Sequence, residues 1–237
     1  MNLYVGTSGF CYKQWKGGFY PQNLPEKQML RYYSEHFQTV EINNTFYRMP
    51  KASVLKAWAG EVGDDFKFVL KAPRGITHVQ RLKAAGGSVS YLLEVASVLA
   101  DRLGPVLFQL PPYLKKDLPL LRDFLAMLPG HKRAAFEFRH PSWFDEETFK
   151  ILRDHQVALC IAEAEDGLSV PFVSTAHWGY LRLRKSDYGD AELTRWLERL
   201  WPCQWQDAFV FFKHEEEAKG PQFARRFLEL AASSTVR

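Results

Sequence analysis

The chain has 237 residues, of which 46% are hydrophobic and 24% charged, with 31 lysines and arginines against 27 aspartates and glutamates. These proportions are ordinary for a globular protein and exclude wholesale disorder and a fibrous repeat. No apolar stretch approaches the roughly 20 residues that span a bilayer, so we expect no membrane partner. Three widely spaced cysteines, in no metal-binding pattern, favour a reducing, cytoplasmic compartment. The aromatic content of 15% is high and needs a structural explanation.

Eight short apolar runs, rich in β-branched and aromatic residues, predict strands. In chain order they are Leu3–Gly6, Thr39–Asn43, Phe66–Lys71, Pro105–Leu110, Arg133–Arg139, Val157–Glu163, Trp178–Arg184 and Ala208–His214. Their starts lie about 20 to 40 residues apart, which is the spacing expected when a helix connects each strand to the next.

Seven segments between these runs have the composition and boundaries of helices. They are Glu26–Phe37, Lys51–Glu61, Ser88–Leu103, Asp117–Leu128, Asp145–His155, Asp190–Leu200 and Pro221–Ala232. The third is expected to stop at Gly104-Pro105, because glycine and proline commonly follow the end of a helix. Residues 72–87 fit either a loop or a short helix.

Strands that alternate with helices over about 240 residues predict a (β/α)8 TIM-like barrel, since that fold has about 250 residues. We expect residues 1–237 to form a single barrel domain. The rival is an open doubly wound sheet, which normally shows a glycine-rich turn after its first strand. The sequence Gly6-Thr7-Ser8-Gly9 lacks that spacing.

Polar residues recur on one face of the predicted strands. Side chains alternate between the two faces of a strand, so in the fifth run Glu137 and Arg139 share one face and Phe136 and Phe138 the other. Six runs show this contrast near their carboxyl ends. In a barrel, the polar set faces inward at the C-terminal mouth, where active sites of this fold lie. The set comprises Glu41, Asn43, Lys71, Gln109, Glu137, Arg139, Arg182 and Lys213.

Carboxylates at the mouth are candidates for proton transfer. Glu41 and Glu137 are the predicted general acid and base, because neighbouring cations can tune a partly buried carboxylate. Glu163 is a third candidate whose strand register is not fixed. His140 is either a proton shuttle or a cap for the turn that begins at Pro141. The alternative for the paired charges is a purely structural ionic layer.

Cations at the mouth indicate an anionic ligand, because arginine binds carboxylates and phosphates through two donors at once. We predict a small anionic substrate, phosphorylated or sugar-containing, bound in part by Lys71, Arg139 and Arg182. The ends of strands seven and eight often hold phosphate in this fold, and there Lys213 and His214 are the candidates. Arg74, Arg184 and Lys185 extend the cationic set, although the last two also fit a solvated loop.

The sequence names no cofactor. Glu41, Glu137, Glu163 and His214 could converge on a divalent metal, but lysines and arginines nearby would compete for the same carboxylates, so a metal is not favoured. Cys11 is a weak candidate for a nucleophile because the sequence places no histidine to activate it. The oligomeric state is left open.

Aromatic residues cluster in loops that would border the mouth. The first loop, Phe10–Pro21, is expected to act as a wall or lid, or else to collapse over the barrel end. Tyr47 and Trp143 add rings to the same rim, where they would bind substrate. Stacking rings beside basic residues also suit nucleic acid, which remains an alternative partner, although no extended basic stripe accompanies them.

Several motifs resemble the domain of unknown function 72, or YecE-like, family over nearly the whole chain. They include Gly6-Thr7-Ser8-Gly9, Val40-Glu41-Ile42-Asn43-Asn44-Thr45-Phe46-Tyr47, Lys71-Ala72-Pro73, Leu107-Phe108-Gln109-Leu110-Pro111-Pro112 and Glu137-Phe138-Arg139-His140 followed by Trp143. The resemblance implies a TIM-like barrel of bacterial or archaeal type, but it implies no activity. The chain departs from the family pattern at Arg184 and Lys185, where many members have His-Gly, and at Lys213 and His214, where many have two asparagines.

We therefore expect a barrel enzyme, with hydrolysis as the default reaction because it needs only an acid, a base and positioning. A nuclease-like protein that uses the aromatic, basic rim is the second hypothesis. A non-catalytic ligand sensor is the third.

Overall fold

A computed structural model describes residues 1–130, 133–163, 167–214 and 216–234. Eight parallel strands form one sheet. They are β1 (Asn2–Thr7), β2 (Thr39–Ile42), β3 (Lys67–Lys71), β4 (Leu103–Gln109), β5 (Ala134–Glu137), β6 (Ala158–Glu163), β7 (Trp178–Leu183) and β8 (Asp207–Phe212). Sequence neighbours pair from β2 to β8, and β8 pairs with β1. The sheet nearly closes through a bridge between Ser8 and Glu41, which confirms the TIM-like barrel.

Helices alternate with the strands. They are α1 (Met29–Ser34), α2 (Asn44–Tyr47), α3 (Ala52–Ala59), α4 (Gly86–Ala96), α5 (Leu118–Ala126), α6 (Glu146–Asp154), α7 (Asp190–Leu200) and α8 (Lys219–Ser234). Asp117 and Asp145 cap α5 and α6 by accepting the backbone N–H of Leu120 and Thr148 at 3.0 and 2.9 Å. Within the described residues 167–177, the connection from β6 to β7 contains no helix. No helix in the described ranges is both long and apolar enough to cross a membrane.

The region before β4 differs from the sequence-based prediction. The helix expected over Ser88–Leu103 consists of α4 and a 3-10 segment, Ser97–Arg102, in which Ala100 has a φ of 48°. The strand begins at Leu103, so Gly104 lies inside β4 rather than ending a helix. A Cβ on Gly104 would lie 3.0 Å from Cγ2 of Val69 and 3.2 Å from the carbonyl oxygen of Phe68. Gly104 therefore allows β3 and β4 to approach closely.

Residues 72–87, which fit either a loop or a short helix in the sequence, contain a π-helical turn, Gly75–Val79.

The alternation of side chains along the strands is as predicted. One buried cluster fills the barrel interior and contains the inward residues Val69, Leu107, Ala135, Cys160, Tyr180 and Phe211. Residues of opposite parity, including Phe68 and Phe108, belong to two other clusters that also contain helix residues. Many aromatic residues thus pack the layer between sheet and helices. Towards the C-terminal mouth the interior becomes polar.

Tyr33 on α1 joins the two strands at the nearly closed seam of the barrel. Its hydroxyl accepts the backbone N–H of Thr7 at 2.8 Å and donates to the carbonyl oxygen of Thr39 at 3.0 Å. Gly6 permits this approach, because a Cβ there would lie 2.1 Å from the same Thr39 oxygen. Ser8 and Glu41 lie next to this seam, on the side of the C-terminal mouth.

Candidate functional site

Arg182 links two buried carboxylates at the mouth of the barrel. Its Nη2 donates to Oε1 of Glu41 at 2.8 Å, and its Nη1 donates to Oε2 of Glu137 at 2.6 Å. The three side chains come from β7, β2 and β5, and each is 2% exposed or less. Strand parity brings them together, because all three point inward at the carboxyl ends of their strands. This arrangement joins opposite sides of the barrel.

Each carboxylate receives further hydrogen bonds. Ser8 Oγ donates to Glu41 at 2.8 Å, and the hydroxyl of Tyr180 donates to its other oxygen at 2.6 Å. Asn43 Nδ2 adds a longer bond of 3.2 Å to Glu41. Glu137 accepts from Gln109 Nε2 at 2.8 Å and from Arg184 Nη2 at 3.1 Å. These bonds fix the orientation of both carboxylates, and we call this set, with Arg182, the Glu–Arg network.

Both carboxylates are ionised at neutral pH. Burial alone would raise the pKa of Glu41, but Arg182 and the hydrogen bonds from Tyr180 and Ser8 outweigh burial and hold the pKa below its usual value. Burial also opposes ionisation of Glu137, yet Arg182 and Arg184 lower its pKa to about 2. A carboxyl group with so low a pKa carries almost no proton to donate near pH 7.

Lys71 lies beside this network without a carboxylate partner of its own. It ends β3 and is 9% exposed, and its Nζ lies 4.2 Å from the centroid of the Phe46 ring. Within the described residues, Nζ makes no hydrogen bond or ion pair. Burial lowers the pKa of Lys71, the nearby positive charge of Arg182 lowers it further, and Glu137 and Glu41 oppose the change only in part, so that the pKa is about 8.

A histidine and two arginines lie further out from Lys71. Burial lowers the pKa of His78, and the positive charges of Lys71, Arg74 and Arg139 lower it further. His78 packs edge-on against Phe46 at 4.9 Å between ring centroids. Arg74 is exposed and Arg139 half-buried, so the cationic groups extend from the interior to the rim.

The remaining predicted residues are spread more widely. Tyr47 is 76% exposed at the end of α2 and is available at the rim. His140 caps the turn Pro141–Trp143, because its Nδ1 accepts the backbone N–H of Ser142 at 3.2 Å. Lys213 is exposed just after β8. His214 is half-buried, with its Nε2 lacking a hydrogen-bond partner among the described residues.

Trp143 and Glu163 lie outside the mouth. The Trp143 ring is fully buried, stacks on Phe138 at 4.6 Å and donates to the carbonyl oxygen of Leu114 at 2.8 Å. It belongs to the core rather than to the exposed rim that the sequence suggested. Glu163 accepts hydrogen bonds from Tyr188 and from Trp196 of α7, on the outer side of the barrel. Its strand parity explains this placement, because Glu163 follows Leu159 and Ile161, which face the helices.

The sequence-based set omitted two members of the network, Ser8 and Tyr180. Tyr180 shares its face of β7 with Arg182, so parity alone could have identified it. Ser8 follows a strand that shows no polar and apolar contrast, and it reaches Glu41 only because the barrel nearly closes there. Arg184, which the sequence left between mouth and loop, donates to Glu137.

The aromatic first loop is collapsed. Trp15, Phe19 and Tyr20 are buried, and Phe19 packs against Tyr33 and Phe37 at 6.1 and 5.7 Å between ring centroids. A cavity of about 420 Å³ lies between this loop and α3. Its lining includes Phe10, Tyr12, Trp58 and Asn43. Asn43 connects it to the network through Glu41.

No group of three or more histidine, cysteine, aspartate or glutamate side chains is placed to hold a metal ion within the ranges that the structure describes. Glu41 and Glu137 are each bonded to arginine, and Glu163 is on the outer side of the sheet. The four residues considered from sequence therefore do not converge.

A family model described as "Protein of unknown function DUF72" matches residues 4–236. The chain belongs to the DUF72 family. This DUF72 chain is 39% identical to the UPF0759 protein YecE of Escherichia coli K12 over 116 residues, which are 48% of this chain and 43% of YecE. It is 29% identical to the UPF0759 protein YunF of Bacillus subtilis over 164 residues, 64% of this chain and 57% of YunF. The match thus spans about half the length of these curated relatives.

Solved structures of DUF72 proteins share the fold. A family member from Thermotoga maritima superposes with a TM-score of 0.88 at 26% identity, over 98% of this chain and all of the other. One from Enterococcus faecalis has a TM-score of 0.80 at 17% identity and covers 98% of both chains. The second likeness concerns the fold alone. None of these names states an activity.

Proposed function

We propose that this DUF72 protein is a barrel enzyme that binds a small anionic compound at the C-terminal mouth and transfers a proton through Lys71. The observation that carries the proposal is a surplus of buried donors. Nε of Arg182 and Nε of Arg184 are buried without a hydrogen-bond acceptor among the described residues. Nζ of Lys71, whose side chain is mostly buried, forms no hydrogen bond with the described residues either. Buried donors without acceptors are costly, so their number favours an acceptor supplied from outside the chain.

The charge balance supports an anion. Two carboxylates, Glu41 and Glu137, lie among three cations, Arg182, Arg184 and Lys71. The carboxylates are already bonded to arginine, so the uncompensated charge is positive. Arg74 and His78 add nitrogen donors towards the rim. An anionic group that enters from the mouth would meet donors from several directions in a site where water is scarce.

The roles of the carboxylates follow from their ionisation. The sequence alone favours Glu41 and Glu137 for proton transfer. With a pKa of about 2 and its oxygens held by Arg182, Arg184 and Gln109, Glu137 is a weak base and a negligible acid near pH 7. In our proposal the two carboxylates hold the Arg182 guanidinium in position.

Lys71 is better suited to proton transfer. A group with a pKa of about 8 has roughly a tenth of its population neutral at pH 7, so both the acid and the base form are present. The neutral amine could activate water or remove a proton from a bound substrate. Hydrolysis of a small anionic compound is therefore the first reaction class to screen, and isomerisation through proton transfer is the next.

Binding and turnover distinguish this proposal from its rivals. The wild type, Lys71→Met and a control, Lys56→Met at an exposed site on α3, would be tested by calorimetry against carboxylates, phosphate and sugar phosphates. Compounds that bind would then be tested for turnover. We expect Lys71→Met to lower kcat at least 100-fold for a compound that binds and Lys56→Met to leave kcat unchanged.

Three results would contradict this proposal. Binding of a single-stranded oligonucleotide more tightly than any small anion, with affinity falling steeply with salt, would favour the nucleic-acid hypothesis. Equal kcat in wild type and Lys71→Met would remove Lys71 from the chemistry. If the wild type binds a compound but does not turn it over, the ligand-sensor hypothesis would be favoured.

A further inference from the structure

Lys71 has the surroundings of a nucleophilic amine. The backbone is fixed on both sides, because Thr45 Oγ1 donates to the Lys71 carbonyl at 2.6 Å and the Ala72 N–H donates to the Leu107 carbonyl at 2.8 Å. The side chain extends from this fixed point over the Phe46 ring. A rigid strand end that carries a flexible, reactive side chain is a common way to place a nucleophile in this fold.

No described group competes for the Lys71 nitrogen. Glu41 and Glu137 are the carboxylates near enough to influence it, and both are bonded to Arg182. Its cationic neighbours Arg182 and Arg184 disfavour a proton on Nζ. A lysine that is removed from water and placed beside other cations is activated as a nucleophile towards carbonyl groups.

We infer that Lys71 forms an imine with its substrate, and that the substrate is a small carbonyl compound carrying a carboxylate or phosphate group. This inference rests on the proposed function, since the arginines around Lys71 would bind the anionic group. It narrows the substrate class from any small anion to an anionic aldehyde or ketone. Nε of Arg182 and Nε of Arg184 are buried and have no acceptor among the described residues, which favours an acceptor from outside the chain.

The covalent step balances without a co-reactant. The neutral Nζ attacks the carbonyl carbon, a C–N bond forms, and the oxygen takes up the π electron pair and a proton. When the Lys71 ammonium becomes the neutral amine it gives one proton to water, and after attack the nitrogen gives a second to the oxygen. The oxygen then takes up the first proton from water, the C–O bond breaks, and water leaves. The product is a protonated imine, which withdraws electrons from the adjacent carbon and eases proton loss or bond cleavage there. No electron is gained or lost overall.

Reductive trapping tests the inference. The wild-type chain would be incubated with sodium cyanoborohydride and one of three probes: pyruvate, dihydroxyacetone phosphate or acetone, the last a neutral matched ketone. Intact-mass and peptide mass spectrometry then locate the reduced adduct. We expect Lys71 to be modified at least tenfold faster than Lys56 by one of the two anionic probes, and faster than by acetone. Lys71→Arg, with its fold checked by circular dichroism, should lose the fast adduct, whereas Lys56→Arg should keep it.

The outcomes separate this inference from the proposed function. Labelling of Lys71 no faster than Lys56 by every probe would overturn the imine, and calorimetric binding of phosphate or pyruvate in the same sample would leave the anion-binding mouth standing. Fast labelling of Lys71 by acetone and both anionic probes alike would overturn the anionic substrate class. If excess phosphate protects Lys71 from labelling by pyruvate, both the imine at Lys71 and the anion-binding mouth would be supported.

Discussion

The ammonium nitrogen of Lys71 lies 4.2 Å from the centre of the Phe46 ring. An aromatic face attracts a cation, but it replaces the hydrogen bonds that water would supply only in part. Neither carboxylate beside Lys71 forms an ion pair with it, because Arg182 occupies both. The fold therefore holds a lysine in a position that disfavours its charged form.

Lys71→Met should increase stability at neutral pH. The folded pKa of about 8 lies below the ordinary value of 10.5, so between these values the unfolded chain binds more protons than the folded chain. The free energy of unfolding of the wild type therefore rises from about pH 8 to about pH 10.5, and the penalty is complete below pH 8. We expect Lys71→Met to be more stable by roughly 1 to 3 kcal/mol at pH 7, with the difference shrinking by pH 10.

Urea unfolding at several pH values measures this difference. Lys56→Met, which removes an exposed lysine, is the matched control and should show no such pH dependence. A Lys71→Met variant less stable than the wild type at pH 7 would show that the charged lysine is favourable in the fold.

Removing the Arg182 side chain should lower the free energy of unfolding strongly. Arg182→Met leaves Glu41 and Glu137 as buried charges that have lost their shared partner, and loss of one partner of a buried pair costs about 3 to 5 kcal/mol. Adding Glu41→Gln and Glu137→Gln to the same chain should recover at least half of the loss, because no charge is then stranded. Chemical denaturation of the single and triple variants checks both statements. A loss below about 1 kcal/mol in the single variant would mean that the network is not held by Arg182.

Acid should weaken the fold through Glu137. Its folded pKa of about 2 lies below the ordinary 4.5, so within this window the unfolded chain binds more protons and stability falls as pH decreases. Glu137→Gln should flatten the stability profile between about pH 4.5 and pH 2. Glu94→Gln, at an exposed position on α4, should keep the wild-type slope, and an unchanged slope in Glu137→Gln would contradict the pairing.

Tyr33→Phe should loosen the seam between β1 and β2. The variant removes the hydroxyl that accepts from the Thr7 N–H and donates to the Thr39 carbonyl oxygen. Each buried group left without a partner costs about 1 to 3 kcal/mol. Tyr32→Phe is the control, since its hydroxyl forms no hydrogen bond in the described part of the chain. Hydrogen exchange should report faster exchange at Thr7 in Tyr33→Phe alone. Equal exchange in both variants would show that Tyr33 does not hold the seam.

Sequence reasoning predicts the centre of the site better than its edges. The sequence predicts that Glu41, Glu137 and Arg182 lie together, because each interrupts an apolar alternation at the end of a strand. Glu163 could not be placed in this way, since Ala158–Ala162 is apolar on both faces and carries no parity signal. Trp143 could not either, because the turn Pro141–Trp143 carries its ring back onto Phe138.

The sequence alone does not give the pKa values of the side chains in the site. That Glu137 is an acid or base candidate follows from its residue type, but its pKa depends on two arginines from the end of β7 that meet it across the barrel. Lys71 likewise lacks an ion-pair partner because Arg182 already binds Glu41 and Glu137. Composition and parity name these residues without saying which of them share a hydrogen bond.

The most direct measurement is the titration of Lys71 itself. A chain labelled with carbon-13 at lysine Cε, with the Lys71 signal assigned by its loss in Lys71→Met, reports the ionisation of that amine by NMR. We expect a midpoint of about 8, because burial and Arg182 disfavour the ammonium. A midpoint near the ordinary 10.5 would contradict both the isolated lysine and the chemistry proposed for it.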